Sequence, residues 1–254
     1  YYFTANTYSF GNSMQPNSFV YSNGFYWLAD NSLGLVRHYD EFSSLPINFE
    51  GPPKKDFYAM DAHKGKLAVC SGGLTGYANT FNASGVYLFQ DEAWKLRDKS
   101  TVNAWSTASI YDYLSVAINP VNTDEIAVGT YSETPVTLLD VNGQATSVFT
   151  PSNSLLEMTS ATSTRAFVHA MKYDDAGNLW LANSYANEPL KAYANGTWYS
   201  YNFGTTGTNK LCKELAIDYN GNKWFSAEGA GLIGVVLASL LPALSGWSFT
   251  TVLL

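Results

Sequence analysis

The chain has 254 residues and a formal net charge of −7; apolar residues make up 46%, aromatics 15% and charged residues only 14%. That is ample for a large core in a single all-β unit, and the acidic balance without any Lys or Arg run argues against nucleic acid as a partner. The excess of Asn, Ser, Thr, Tyr and Gly over charge is the composition of secreted or surface β proteins.

Residues 1–18 are rich in Tyr, Asn and Ser and read as one strand or a linker. A repeat begins at Phe19: Phe19-Val20-Tyr21, a turn at Ser22-Asn23-Gly24, then Phe25 to Ala29 and Gly34 to His38. The second repeat has Tyr58 to Asp61, a turn at His63 to Lys66, and Leu67 to Cys70. A polar insertion, Ser71 to Ser84, precedes a hairpin of Gly85 to Phe89 and Ala93 to Leu96 around Asp91-Glu92. The third runs Leu114 to Ile118, Ile126 to Gly129 and Val136 to Asp140, with a turn at Asn142-Gly143.

The fourth repeat starts with Ala166 to Met171 and carries Asp174-Asp175-Ala176-Gly177-Asn178-Leu179-Trp180. The fifth repeats that motif 44 residues later as Asp218-Tyr219-Asn220-Gly221-Asn222-Lys223-Trp224. Apolar runs on both sides of Asp-x-x-Gly-Asn spell a β-hairpin, with Gly and Asn expected to supply the positive φ of a two-residue primed turn. Gly and Trp keep the same offset at Gly24/Trp27, Gly177/Trp180 and Gly221/Trp224. Hairpins at this period, without helical periodicity, predict an all-β fold: a β-propeller of four-stranded antiparallel blades, with about five repeats over 19–235. The recurrent Trp is expected to wedge between blades.

The tail 236–254 departs from the repeat. It reads either as closing strands, Trp247 to Val252 among them, or as a segment not contiguous with the repeats. Pro, Gly and Ser interrupt it, so no membrane span is expected. Tyr1-Tyr2-Phe3 lacks the basic start of a signal peptide and is read as the interior of a fold.

Few residues offer chemistry. Asp174, Asp175 and Asn178 are oxygen donors of a calcium-site type, but EF-hand spacing is absent, so an Asx turn is the preferred reading. His38, His63 and His169 are too scattered for a metal set, and no metal or cofactor is expected. His169 is placed on an inner strand facing a channel. Arg165 and Lys172 offer positive charge to an anionic ligand at one face, or are solvated strand-end charges. Cys70 and Cys212 lie on different repeats and are expected to be buried free thiols rather than a disulfide. No nucleophile elbow or phosphate loop is present, and the Asp40-Glu41 and Asp91-Glu92 pairs fall in turns. No catalytic residue is assigned, and an enzyme, a propeller lyase or hydrolase, is the less favoured reading. The insertion Leu74 to Asn82 and the stretch Trp105 to Tyr113 are expected to expose aromatics with amides. That pattern suits glycan recognition and equally suits cover for blade edges.

Several stretches resemble one family. Gly51-Pro52, Lys66 to Gly73, and Gly85 to Phe89 with Trp94 resemble the propeller of PorZ-like proteins of the type IX secretion system of Bacteroidetes. Asp112 to Pro120, Val128 to Tyr131 and Asn178 to Ser184 fit the same pattern. The 174–180 and 218–224 motifs are equally similar to the propellers of hybrid two-component regulators. The resemblance covers about residues 19–233. It implies a whole protein with two seven-bladed propellers and a sorting domain, located in the periplasm or at the outer-membrane surface. It further implies a sortase-like peptidase as partner, lipopolysaccharide or oligosaccharide as ligand, and no catalysis by the propeller itself. It assigns no binding residue.

Overall fold

In a computed structural model the described residues are 6–40, 43–47, 51–235 and 251–253. They divide into two compact bodies, Tyr1–Gly51 and Pro52–Leu254. Strands alternate with tight turns throughout.

The first body is one antiparallel meander of β1 (Pro16–Ser22), β2 (Phe25–Asp30), β3 (Gly34–Asp40) and β4 (Ser43–Ile47). Tyr8, Leu28 and Val36 form its small core. Asp30 organises the chain around that core. Its carboxylate accepts hydrogen bonds from Tyr8 Oη and Gln15 N, both at 2.7 Å, and from Ser32 N at 2.9 Å. Burial alone would raise its pKa, but these donors hold it well below the usual carboxylate range.

The described residues of the second body form four blades. The first is β5 (Ala59–His63), β6 (Lys66–Cys70), β9 (Val86–Gln90) and β10 (Ala93–Arg97), with a miniature hairpin, β7 (Leu74–Thr75) and β8 (Ala78–Asn79), in its insertion. Next come β11 (Tyr113–Ile118), β12 (Ile126–Ser132), β13 (Val136–Leu139) and β14 (Ala145–Phe149). β15 (Ala166–Tyr173), β16 (Leu179–Ser184), β17 (Leu190–Ala194) and β18 (Thr197–Tyr201) follow. The last blade is β19 (Leu215–Ile217), β20 (Lys223–Ala227), β21 (Gly231–Val235) and β22 (Thr251–Leu253). The first strands of the blades lie beside one another in chain order: β11 between β5 and β15, and β15 beside β19. β12 runs past β11 to pair Tyr131 with Phe167, which joins two blades in one sheet.

The core lies between blades, and the period of two in a strand explains how. Val116 and Ile118 of β11 point to a cluster with Ala68, Cys70 and Val86 of the preceding blade. Their neighbour Ala117 points the other way, to Val168, Leu179 and Leu181. On β16, Trp180 and Ala182 face a third cluster with Phe225 and Ile233 of the next blade. Strands covered on both faces must be apolar at every position, which is why these stretches read as uninterrupted apolar runs. Trp180 is the expected wedge and is wholly buried, whereas Trp224 is half-buried.

The motif turns differ from the expected primed geometry. At Asp174 the side chain, not the backbone alone, sets the turn. Oδ1 accepts from Ala176 N (3.1 Å) and Asn178 N (2.9 Å), and Gly177 N donates to Asp174 O at 2.9 Å. Only Gly177 has positive φ (79°), so a type I turn with a left-handed Gly closes the hairpin. Two-residue primed turns do occur at Asn23-Gly24, Lys64-Gly65, Asp91-Glu92 and Asn195-Gly196, where both residues have positive φ.

Of the tail, only Thr251–Leu253 is described, as a strand paired with Ile233–Val235. The rest of the expected closing segment lies outside the described residues.

Candidate functional site

The inner face of the second body is covered at one end of the strands by the insertion between β6 and β9. Gly72 lets the chain turn onto β11: its N–H donates to Tyr113 O at 2.8 Å, and any Cβ there would sit 1.9 Å from that oxygen. Buried Asp112 then pins the insertion. It accepts Asn79 Nδ2 (2.8 Å), Thr80 N (3.1 Å), Thr80 Oγ1 (2.6 Å) and Asn82 N (2.9 Å). Phe81, between two anchored residues, is forced to φ 57°. A bulky side chain rarely adopts that backbone unless its surroundings impose it.

The result is an outward-facing aromatic group. Phe81 is 59% exposed and Tyr77 53%. Phe81 and Tyr111 have centroids 5.0 Å apart. The Arg165 guanidinium lies 5.5 Å from one ring and 5.9 Å from the other, and its Nη1 donates to Asn79 Oδ1 at 2.7 Å. Arg165 has no carboxylate partner among the described ion pairs. On the other side, Tyr77 donates to Glu228, and Lys213 Nζ lies 5.5 Å from the Tyr77 ring.

Beneath this group is a cavity of about 250 Å³ lined by Tyr58, Met60, Ser115, His169, Lys213 and Glu214 among others. Lys213 O, an acceptor only, lies 2.7 Å from His169 Nδ1, so Nδ1 carries the proton. Nε2 is then the acceptor for Tyr58 Oη at 2.8 Å. Burial pushes the His169 pKa below its ordinary value and the Tyr58 hydroxyl above its own. The pair is therefore neutral at pH 7 and tethers three blades.

Other expected sites resolve as follows. His169 lines the inner cavity as anticipated. His38 is in the first body with Nδ1 2.8 Å from Ser44 Oγ, and His63 ends β5. Among the described residues no three His, Cys, Asp or Glu side chains converge as a metal site. The oxygens of Asp174 are committed: Oδ2 accepts Asn178 Nδ2 at 3.1 Å and Trp180 Nε1 at 2.9 Å within its own turn, and pairs with Lys223 Nζ of the next at 3.7 Å. Asp91 and Glu92 are exposed in a turn as expected, whereas Asp40 is exposed at the end of β3, paired with Ser43, and Glu41 lies outside the described residues. Cys70 and Cys212 are buried and free, and burial pushes both thiols up to about 12.

Two expectations are corrected. Trp105 is not exposed: it is buried in the first inter-blade cluster, with Nε1 donating to Thr137 Oγ1 at 3.0 Å, and Tyr113 is buried beside it. Only Tyr111 of that stretch joins the exposed group. Arg165 and Lys172 do not share a face. They lie at opposite ends of β15, on the order of 20 Å apart, and Lys172 is paired with Asp61 at 2.9 Å. The roles of Asp112, Tyr58, Lys213 and Glu228 had no local signal, because each depends on a contact with a distant segment.

No family model matches the chain, and no curated protein matches it. Among solved structures it is similar to PorZ of Porphyromonas gingivalis, described as an essential bacterial surface component of the type IX secretion system. The TM-score is 0.65 and the identity 24%, over 84% of this chain and 30% of PorZ. Four-stranded antiparallel blades packed face to face about adjacent first strands decide the architecture. The fold is a β-propeller. A second similar structure is the extracellular domain of BT4673 from B. thetaiotaomicron, a candidate one-component system (TM-score 0.50, identity 16%, 90% of this chain and 27% of that one). A third is virginiamycin B lyase from Staphylococcus aureus (TM-score 0.50, identity 13%, 87% and 67%). The chain thus spans less than a third of PorZ and of BT4673. The propeller hosts surface components and a lyase alike, so function must be argued from the site. No helix among the described residues is long and apolar enough to cross a membrane.

Proposed function

We propose that the chain is the propeller module of a bacterial surface or periplasmic protein that binds its ligand without transforming it. The insertion face is its binding surface, and an anionic glycan its ligand. The observation that carries this reading is Arg165, set against both the Phe81 and Tyr111 rings with no carboxylate partner among the described ion pairs. Exposed rings stack on the C–H faces of sugars, and a guanidinium in an aromatic frame presents paired N–H donors to a carboxylate or phosphate. Lys213 adds a second cation beside Tyr77. The Tyr58–His169 pair is held neutral and tethered, which suits a wall better than an acid–base centre.

The fold is shared with PorZ, a surface component of the type IX secretion system, and the sequence resemblance to PorZ-like proteins motivates the finer proposal: a role in that system, lipopolysaccharide as the glycan and a sortase-like peptidase as the partner. Titration of the chain with anionic lipopolysaccharide tests the site. Arg165→Ala and Phe81→Ala are expected to weaken binding at least about tenfold, and equal affinity in all three proteins refutes it. A pull-down from outer-membrane extract that recovers neither a sortase-like peptidase nor lipopolysaccharide refutes the secretion role. The 174–180 and 218–224 motifs, equally similar to the propellers of hybrid two-component regulators, motivate a second reading, a periplasmic oligosaccharide-sensing propeller of such a regulator. A transmembrane helix and kinase encoded after the propeller would select it.

A further inference from the structure

At the other end of the strands from the insertion, the Asp174–Asn178 and Asp218–Asn222 turns enclose a groove of about 650 Å³. That volume falls in the range of small-molecule sites. The two turns share one construction. Asp218 Oδ1 accepts Asn220 N and Asn222 N, both at 2.9 Å, and Oδ2 accepts Asn222 Nδ2 at 2.8 Å and Trp224 Nε1 at 3.0 Å. Asp174 has the matching four bonds. Each wall is thus held by its own Asp, and Asp174 Oδ2 also pairs with Lys223 Nζ of the facing turn at 3.7 Å, so neither carboxylate is uncommitted.

What differs is the pair of residues at each tip: Asp175-Ala176 on one wall, Tyr219-Asn220 on the other. Tyr219 is 104% exposed, so its ring packs against nothing and serves neither turn nor core. The side chains of Tyr219, Asn220 and Asp175 make no hydrogen bond among the described residues. The cations are occupied. Lys172 pairs with Asp61, and Lys223, only 4% exposed, lies over the Trp180 ring, donates to Gly221 O at 2.7 Å and pairs with Asp174 Oδ2 at 3.7 Å. The floor is apolar, formed in part by Leu215 and Ile217.

The uncommitted groups are thus one aromatic face, one amide and one carboxylate above an apolar floor. An anion would meet Asp175 with no free cation to offset it. A neutral sugar ring suits all four: its C–H face stacks on Tyr219, its hydroxyls donate to Asp175, and the Asn220 amide both donates and accepts. We infer that the groove between the twin turns is a second binding site, separate from the insertion face, for a neutral saccharide.

The test titrates the full chain with maltohexaose, cellohexaose and mannohexaose by calorimetry, alongside Tyr219→Ala, Tyr219→Phe and Asp175→Asn. At least one hexaose is expected to bind saturably. Tyr219→Ala should weaken it by roughly tenfold or more, Tyr219→Phe should keep most of the affinity, and Asp175→Asn should weaken it severalfold. Tyr219 packs against nothing, so these variants keep the fold, and an unchanged melting temperature checks it. Absence of binding by all three hexaoses, or equal binding by Tyr219→Ala, overturns the inference. Lipopolysaccharide is titrated in parallel. Its retention with Tyr219→Ala keeps the two sites distinct, whereas its loss overturns their separateness.

Discussion

Trp180 Nε1 donates to Asp174 Oδ2 at 2.9 Å, and Trp224 Nε1 repeats the bond to Asp218 Oδ2 at 3.0 Å. One Asp therefore closes its hairpin and also aligns the indole six residues later. The first indole is buried between blades and the second is half-buried, so their removal should differ. Trp180→Phe loses a buried bond and ring volume and is expected to cost about 2–3 kcal/mol. Trp224→Phe should cost about 1 kcal/mol. Urea midpoints measure both, and equal losses would contradict the wedge role of Trp180.

Asp112 links the insertion to the blades through four donors. Asp112→Ala is expected to release residues 72–82, seen as faster amide exchange there, and to weaken lipopolysaccharide binding along with Arg165→Ala. Asp112 itself has φ 47°, which Asn tolerates better than Ala. Asp112→Asn should therefore keep more of both properties.

Lys191 is 1% exposed and its ammonium lies 2.8 Å from Glu157 Oε1. Burial would raise the Glu157 pKa, but Lys191 and the Asn187 and Glu188 N–H groups hold it below its ordinary value. Glu157→Ala strands a buried cation and frees those donors, and is expected to cost about 3 kcal/mol in a denaturation experiment. Lys191→Met should cost less, because Glu157 keeps its backbone donors.

Histidine burial sets a pH dependence. His169 and His38 both have pKa values depressed below 6.5 by desolvation, so the unfolded chain binds more protons than the folded one just below that pH. Their contribution is fully present above about 6.5 and is lost as pH falls toward their folded values. The urea midpoint should drop between pH 7.5 and 5.5, a window above the carboxylate range. His169→Gln should flatten part of that drop, and an unaltered slope would contradict the assignment.

The architecture was legible in the sequence because it rests on local rules. Apolar runs of strand length, Gly- and Asn-bearing turns between them, and the 44-residue return of Asp-x-x-Gly-Asn-x-Trp are all short-range signals. Even the Asx turn at Asp174 follows from a side chain reaching its own next few N–H groups. Finer geometry was less legible. Whether a turn is primed depends on which group wins its N–H donors, and here the Asp174 carboxylate takes those of Ala176 and Asn178.

Only the tertiary structure decided which aromatics are exposed and which charges meet. Trp105 and Phe81 occupy similar polar, aromatic stretches, yet one is buried between blades and the other is held outward by Asp112. Tyr58 reaches His169 across 111 positions and Tyr77 reaches Glu228 across 151. Such pairs carry no periodicity, because stacking of blades, not chain proximity, brings them together. The repeat motif specified a scaffold turn by its own short-range bonds. That two copies stand side by side, with Tyr219 facing Asp175 across a groove, follows only from the packing of one blade on the next.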